Sequence, residues 1–202
     1  MMKEKSIMSD RQLYFSNAPF SLNLFHRSTG TVAAGLTSSV TLGFVVGLLQ
    51  GTVFSKMESV KAKMNMIKQS YVVSVLSTLG LALCGVKGIS KLVGGNSNLV
   101  LAAITIFSGI IASTVSFQFY QFPNLLSSTI FPENSAVALS LTDAVGFFVT
   151  AGVLGVNSRL LGNFGWSTSW AFMAAIFAVG GAIMTRSIQP VLIQAKKNQR
   201  RL

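Results

Sequence analysis

The chain has 202 residues, of which 50% are hydrophobic and only 10% are charged, and its mean hydropathy is +0.59. A soluble domain carries roughly 25% charged residues, so this chain has too few charges to cover a water-facing surface and is predicted to lie in a membrane. The net charge of +11 would indicate nucleic-acid binding in a soluble protein. Here the basic residues lie at the edges of apolar runs, which is typical of membrane anchors. We expect the lipid bilayer as a partner and no nucleic acid.

In chain order, five apolar stretches reach the roughly 20 residues that a helix needs to cross a bilayer. They are continuous rather than alternating, which predicts helices and not the strands of a barrel. The predicted spans are Thr31–Phe54, Ser70–Val93, Leu99–Phe122, Ser135–Asn157 and Trp166–Ile188. The predicted fold class is therefore an all-α membrane protein, a bundle of five transmembrane helices.

The bundle is predicted over residues 31–189, between an N-terminal segment (1–30) and a basic tail (190–202). The N-terminal segment is partly amphipathic or a remnant helix, and a sixth, short or broken span within residues 14–30 is the alternative to five helices. Nine basic residues fall on the side of the C-terminus, counting the predicted loop Lys56–Lys68, Arg186 and the tail, against seven on the other side. The positive-inside rule then predicts a multi-pass protein with a cytoplasmic C-terminus, in a membrane that the sequence does not specify.

Glycines form stripes on two of the predicted helices. Gly43, Gly47 and Gly51 recur every four residues on the first helix, and such a smooth stripe lets a neighbouring helix approach closely. Helix packing is also predicted for three glycines of the fourth helix: Gly146, Gly152 and Gly155. Transporters use similar stripes where helices slide past each other, so packing and movement overlap as interpretations.

Asp143 is the only acid inside a predicted span, about eight residues or roughly 12 Å from the start of its helix. An acid at that depth costs roughly 2.5–3.5 kcal/mol on insertion scales, so it should face the bundle interior or a wet cavity. A contact with a proton, an ion or a substrate is one interpretation. A structural acid paired with a nearby polar or basic residue is the other, and the residues favour neither.

Gln118, near the end of the third predicted helix, is a second cavity candidate, because glutamine cannot bond to its own preceding turn as easily as serine or threonine. The sequence gives no support for a catalytic, metal or nucleotide-binding site. The chain has one cysteine (Cys84), one histidine (His26), five acids and no nucleotide-binding glycine loop. We therefore expect no enzymatic activity, no metal and no cofactor.

Three segments carry a family resemblance. The first is GFVVGLLQGTVFSK (Gly43–Lys56), with glycines four apart leading into a lysine-rich loop. The second is FPENSAVALSLTDAVG (Phe131–Gly146), and the third is Gly165-Trp166 followed by Phe172. In this order they resemble the eighth to twelfth helices of a major facilitator superfamily transporter, and most nearly the sugar-phosphate/phosphate exchanger branch. Two family features are absent: Ser55 replaces the acid of the loop motif, and no Arg-Gly pair follows the proline of the second segment.

The resemblance implies one half of a carrier that binds its substrate between two six-helix halves and rocks them for alternating access. In such folds the eighth, tenth and eleventh helices help to line the cavity. By that correspondence, the residues implied for the substrate cavity or for coupling are Thr37, Ser38, Gln118 and Asp143, and those implied for the cytoplasmic loop motif are Gly47, Gly51, Ser55 and Lys56. A lone half also implies a second half or another membrane subunit, in a homo- or hetero-oligomer.

Two functions remain as hypotheses. The first is a solute-carrier half that moves a small solute, for which an anionic or phosphorylated metabolite is a candidate, with or against an ion. The second is an integral membrane subunit without transport activity that packs within a larger membrane complex. The order of the motifs and Asp143 favour the first, and the glycine stripes favour the second.

Overall fold

The computed structural model describes residues 29–86 and 97–199, and this part of the chain is helical without any strand. All five long helices have the length and apolar character needed to cross a membrane, as the sequence predicted. Residues 14–28, which make up most of the alternative sixth span, lie outside the described residues. The helices are α1 (Thr29–Lys56), α2 (Val60–Cys84), α3 (Ser97–Ile130), α4 (Ser135–Phe164) and α5 (Trp166–Gln199), with a short 3-10 helix at Pro132–Asn134.

α2 begins at Val60, well before the predicted Ser70, because an N-cap starts it there. The hydroxyl oxygen of Ser59 accepts a hydrogen bond from the backbone N–H of Ala62 at 3.4 Å, which is the preferred chemistry at a helix start. The predicted lysine-rich loop, Lys56–Lys68, is therefore reduced to a three-residue link over residues 57–59. Most of its lysines lie on the first turns of α2.

α3 and α5 continue through an internal proline, beyond the ends predicted at Phe122 and Ile188. Pro123 and Pro190 each remove one backbone hydrogen bond, which commonly ends or kinks a helix. Tertiary packing overrides that tendency, since Phe122 before one proline and Leu192 after the other are buried. Residues 190–199 of the predicted basic tail are consequently the end of α5.

A single residue, Gly165, joins α4 to α5. Its φ of +83° lies in the left-handed region, which glycine adopts without steric penalty. The backbone N–H of Gly165 donates to the carbonyl oxygen of Leu161 at 3.1 Å, and that of Ser169 donates to the carbonyl oxygen of Gly165 at 3.3 Å. The indole Nε1 of Trp166 donates to the carbonyl oxygen of Leu81 at 2.7 Å, so this turn is tied to the end of α2.

α3 is the central helix, because α1, α2 and α4 all pack on it, while α2 also packs along α5. We call the end of the bundle where α1, α3 and α5 finish the basic end, since the exposed or half-buried cations there are Lys56, Lys61, Lys63, Lys68, Arg186, Lys196 and Lys197. An apolar cluster fills the basic end, formed by Phe54, Met64, Ile67, Phe117, Phe122, Ile188 and Leu192. A second apolar cluster fills the opposite end, formed by Leu81, Val100 and Ile104.

The glycine stripe of α1 allows its backbone to lie almost against that of α3. A Cβ added to Gly43 would meet the carbonyl oxygen of Gly109, and one added to Gly47 would lie 2.8 Å from the Cβ of Ser116. At Gly51 an added Cβ would meet the side chain of Gln121. A side chain at Gly43 or Gly47 would meet the backbone of α3 and push the two helices apart, whereas one at Gly51 would displace the Gln121 side chain.

Two hydroxyl groups join the same pair of helices. Ser39 Oγ donates to the carbonyl oxygen of Thr105 at 2.6 Å, and Ser116 Oγ donates to the carbonyl oxygen of Phe44 at 3.1 Å. Hydrogen bonds of this kind between membrane helices contribute on average about 0.6 kcal/mol each. The α1–α3 interface is thus formed by close van der Waals contact supplemented by two polar bonds.

α4 is the least covered helix, and none of its residues is buried. A Cβ added to any of its three stripe glycines would find nothing within 4 Å: Gly146, Gly152 and Gly155. Within the described bundle this predicted packing surface has no partner. Its role stays a prediction about contacts beyond these five helices.

The two glycine stripes make a matched test. We expect Gly47→Val to destabilise the protein by about 1–3 kcal/mol, the usual penalty for overfilling a packed interface, because the new side chain must displace α3. The control, Gly152→Val, places the same side chain in open space and should leave stability unchanged. The measurement is thermal or denaturant unfolding of both variants in detergent. Equal stability of the two variants would contradict the close contact of α1 with α3.

Candidate functional site

Between the two apolar clusters, polar side chains fill the middle of the bundle. We call this layer the polar belt; its buried members are Ser70, Ser74, Ser77 and Thr78 of α2 and Ser113, Thr114 and Ser116 of α3. Several of these hydroxyls are satisfied by their own helix, as when Thr78 Oγ1 donates to the carbonyl oxygen of Ser74 at 2.6 Å. A hydroxyl can lie in an apolar helix in this way because the preceding turn accepts its hydrogen.

Three residues of the polar belt, together with the neighbouring Gln118, bond across the α2–α3 interface. Ser74 Oγ donates to Thr114 Oγ1 at 2.7 Å. Gln118 Nε2 donates to Ser70 Oγ at 3.1 Å and lies 3.4 Å from Ser74 Oγ. No buried side-chain oxygen or nitrogen in the described part of the chain lacks a partner. Through these hydrogen bonds the side chain of Gln118 links α3 to α2.

A groove runs along α3 between α1 and α2. α1 contacts α3 at Gly109 and α2 contacts it at Gln118. At 3.6 residues per turn these positions are about 2.5 turns apart and so lie on opposite sides of α3. The space left between α1 and α2 has a volume of about 630 Å³. A smaller space of about 250 Å³ adjoins it, and the two share Gln50, Val73 and Thr114.

The lining of this α1–α2 groove is apolar with neutral polar groups. Its hydroxyl and amide side chains are those of Ser38, Ser39, Gln50, Gln69, Ser70, Thr105, Ser113 and Thr114. No Asp, Glu, Lys, Arg or His lines the two spaces. The groove can donate and accept hydrogen bonds near the middle of the helices, and its lining offers no charge to pair with an ion.

The residues predicted for a cavity do not converge on this groove. Ser38 lines it, whereas Thr37 is exposed and does not. Gln118 is half-buried in the polar belt. Asp143 is half-buried on α4, with no hydrogen bond or ion pair to any residue that the structure describes.

Asp143 lies on the far side of α3 from the groove. Ile110 of α3 lines the groove, and Phe119 of α3 contacts Phe147 of α4, with their ring centroids 6.4 Å apart. These two positions of α3 are about 2.5 turns apart and therefore face opposite directions. A solute in the groove would not touch Asp143 in this conformation.

The predicted loop motif is part of α1. Gly47 and Gly51 contact α3, as described above. Ser55 Oγ donates to the carbonyl oxygen of Thr52 at 2.8 Å, within its own helix, so it does not act as the acid of the family motif would. Lys56 is exposed at the end of α1.

Gln50 is the groove residue that the sequence interpretation missed. It is half-buried and lines both spaces of the groove. The sequence does indicate it, because Gln50 is a polar residue that interrupts the apolar run from Gly43 to Phe54, just as Gln118 interrupts the third helix. Metal chemistry finds no support in the described residues, because no three of their His, Cys, Asp and Glu side chains could hold an ion together.

Comparisons of the chain with family models, curated proteins and solved structures find no match. The resemblance to a major facilitator superfamily transporter therefore rests on the three segments of the sequence alone. The structure adds a bundle of five helices, each long and apolar enough to cross a membrane, with a neutral polar groove.

A double-mutant cycle measures the bond between Ser74 and Thr114. We expect Ser74→Ala and Thr114→Val to couple by about 0.6 kcal/mol, the average for hydrogen bonds between membrane helices. The control cycle pairs Ser74→Ala with Thr142→Val, because the Thr142 hydroxyl bonds only within α4. Its coupling should be zero within error. Unfolding in detergent gives both values, and a zero coupling for the first pair would contradict the described contact.

Proposed function

We propose that this chain is part of a membrane carrier for a small polar solute, and that the α1–α2 groove is its solute-binding surface. One observation carries the proposal: a groove of about 630 Å³, with hydroxyl and amide groups in its lining, lies along the side of a bundle whose helices are apolar enough to cross a membrane. Polar groups are expensive within a bilayer and are commonly retained there for function. The three segments that resemble a major facilitator superfamily transporter point in the same direction.

The chemistry of the groove favours a neutral solute over an anionic one. A phosphorylated metabolite would need cations near its phosphate, and the lining of the groove holds none. Hydroxyl and amide groups suit a solute that is rich in hydroxyl or amide groups itself. We therefore propose an uncharged polar molecule as the solute, in place of the anionic metabolite that the resemblance suggests.

The groove has two walls, α1 and α2, and a floor, α3, so it is open along its fourth side. A carrier needs a closed path, and in the resembling family the second half supplies the opposite wall. We propose that a second copy of this chain or another membrane polypeptide covers the groove. The basic end is proposed to face the cytoplasm, since the described cations gather there.

Uptake into proteoliposomes tests the groove. A panel of neutral polyols, sugars and amides is compared with organic acids and sugar phosphates, and uptake of a neutral solute is expected. Gln50→Leu should lower that uptake about two- to tenfold, the equivalent of one lost hydrogen bond. The control is Gln189→Leu, an exposed glutamine on α5 outside the groove, which should leave uptake unchanged. A folded sample that takes up no solute of the panel would contradict the proposal.

Asp143 requires a separate experiment because it lies on the other side of α3. If it carries a coupling proton, Asp143→Asn will abolish accumulation driven by a pH gradient and leave downhill exchange intact. We expect accumulation to be lost because asparagine cannot carry the proton. We expect downhill exchange to persist because the substitution does not alter the groove. Loss of downhill exchange with reduced thermal stability would instead indicate a structural acid.

An integral membrane subunit without transport activity is the second candidate, and the exposure of α4 favours it. Large apolar side chains stand out from this helix, with Phe148 82% exposed and Val137 69% exposed, and no residue of α4 is buried. Purification in a mild detergent discriminates the two candidates. A large assembly of fixed composition without uptake activity would support the subunit, and an active self-dimer would support the carrier.

A further inference from the structure

A second cavity, separate from the α1–α2 groove, lies between α2 and α5. Its volume is about 410 Å³, and its walls are mainly apolar, formed by Val72, Val75 and Leu76 of α2 and by Phe177, Ala178 and Ala182 of α5. Val72 is 56% exposed and Leu76 is 61% exposed, so the cavity opens on the outer surface of the bundle. In a membrane that surface faces lipid.

The floor of this α2–α5 cavity is formed by Tyr71 of α2 and Gly181 of α5. A Cβ added to Gly181 would lie 2.7 Å from Cγ of Tyr71, so the Tyr71 ring rests directly on the backbone of α5. The other side of the ring system is held by Phe122 of α3, stacked at a centroid distance of 6.2 Å.

Positive charge lies at one end of the cavity only. Lys68 lines it one turn before Val72, at the basic end, and is exposed without an ion-pair partner among the described residues. Arg186 continues the same side of α5 one turn beyond Ala182, again toward the basic end, and is exposed. The two cations thus lie where the apolar walls finish, on the side of the basic end.

We infer that the α2–α5 cavity binds an anionic phospholipid, with one acyl chain along the apolar walls and the phosphate beside Lys68 and Arg186. The distance along α2 from Lys68 to Leu76 is about 12 Å, enough for a large part of an acyl chain. Basic residues at the surface of a bilayer attract anionic lipids, and a long basic side chain can reach a headgroup while its stem stays on apolar surface. This inference requires a membrane location and is independent of any transport activity.

The charged end is tested by native mass spectrometry of the full chain in detergent, with phosphatidylglycerol and phosphatidylcholine of identical acyl chains. Phosphatidylglycerol is expected to bind at least about fivefold more tightly, the contribution of one basic residue near a membrane surface. Lys68→Gln should remove most of this preference. The control is Lys56→Gln, which removes an exposed lysine of the basic end on α1 and should keep the preference. Equal binding of both lipids to the unmodified protein would overturn the inference, as would an unchanged preference in Lys68→Gln.

The apolar walls are tested by filling them. Ala182→Phe places a large side chain in the cavity from an exposed position and should lower the binding of both lipids at least fivefold. Ala151→Phe, at an exposed position on α4, is the control and should bind lipid as the unmodified protein does. Thermal unfolding of both variants establishes that they are folded. Full lipid binding by folded Ala182→Phe would show that the acyl chain lies elsewhere and would overturn the inference.

Discussion

The contact of bare backbone between α1 and α3 sets the position of everything else in this bundle. Because Gly43 and Gly47 present no side chain, α1 lies against one side of α3 so closely that Ser39 and Ser116 bond to carbonyl oxygens of the opposite helix. α2 takes the other side of α3 and is held there through Gln118. The groove between α1 and α2 exists because these two helices pack on opposite sides of α3. A larger residue in the stripe would push α1 outward and change the shape of the groove along its length.

The polar belt and the two apolar clusters divide the interior into layers that suit different depths of a bilayer. At the ends of the bundle, where water and headgroups are near, apolar side chains such as Ile67 and Leu81 hold the helices together by close packing. In the middle, where the surrounding lipid is as apolar as any side chain, hydrogen bonds and small residues distinguish the interior from the exterior. Ser74 and Thr114 lie in this middle layer, and the groove borders on it. Specific association and a polar surface for a solute thus come from the same residues.

The sequence predicted the number and approximate place of the helices because apolar length is a local property. It did not predict every helix boundary. α2 starts at Val60, and α3 and α5 pass through prolines, because capping and tertiary burial act there and hydropathy does not report them. The predicted grouping of Ser38, Gln118 and Asp143 assumed a shared cavity. Whether residues on different helices face each other depends on the rotation of each helix about its axis, and only the packed bundle determines it. Gln50 could have been found by the criterion that selected Gln118.

The one-residue turn at Gly165 also bears on how α4 is held in the bundle. A turn this short leaves the joined ends of α4 and α5 no slack to move apart, so the two form a helical hairpin. Since α4 lacks buried residues, its attachment to α5, which packs along α2, helps to keep it in place. The placement of the least packed helix therefore depends on the helix that follows it in the chain.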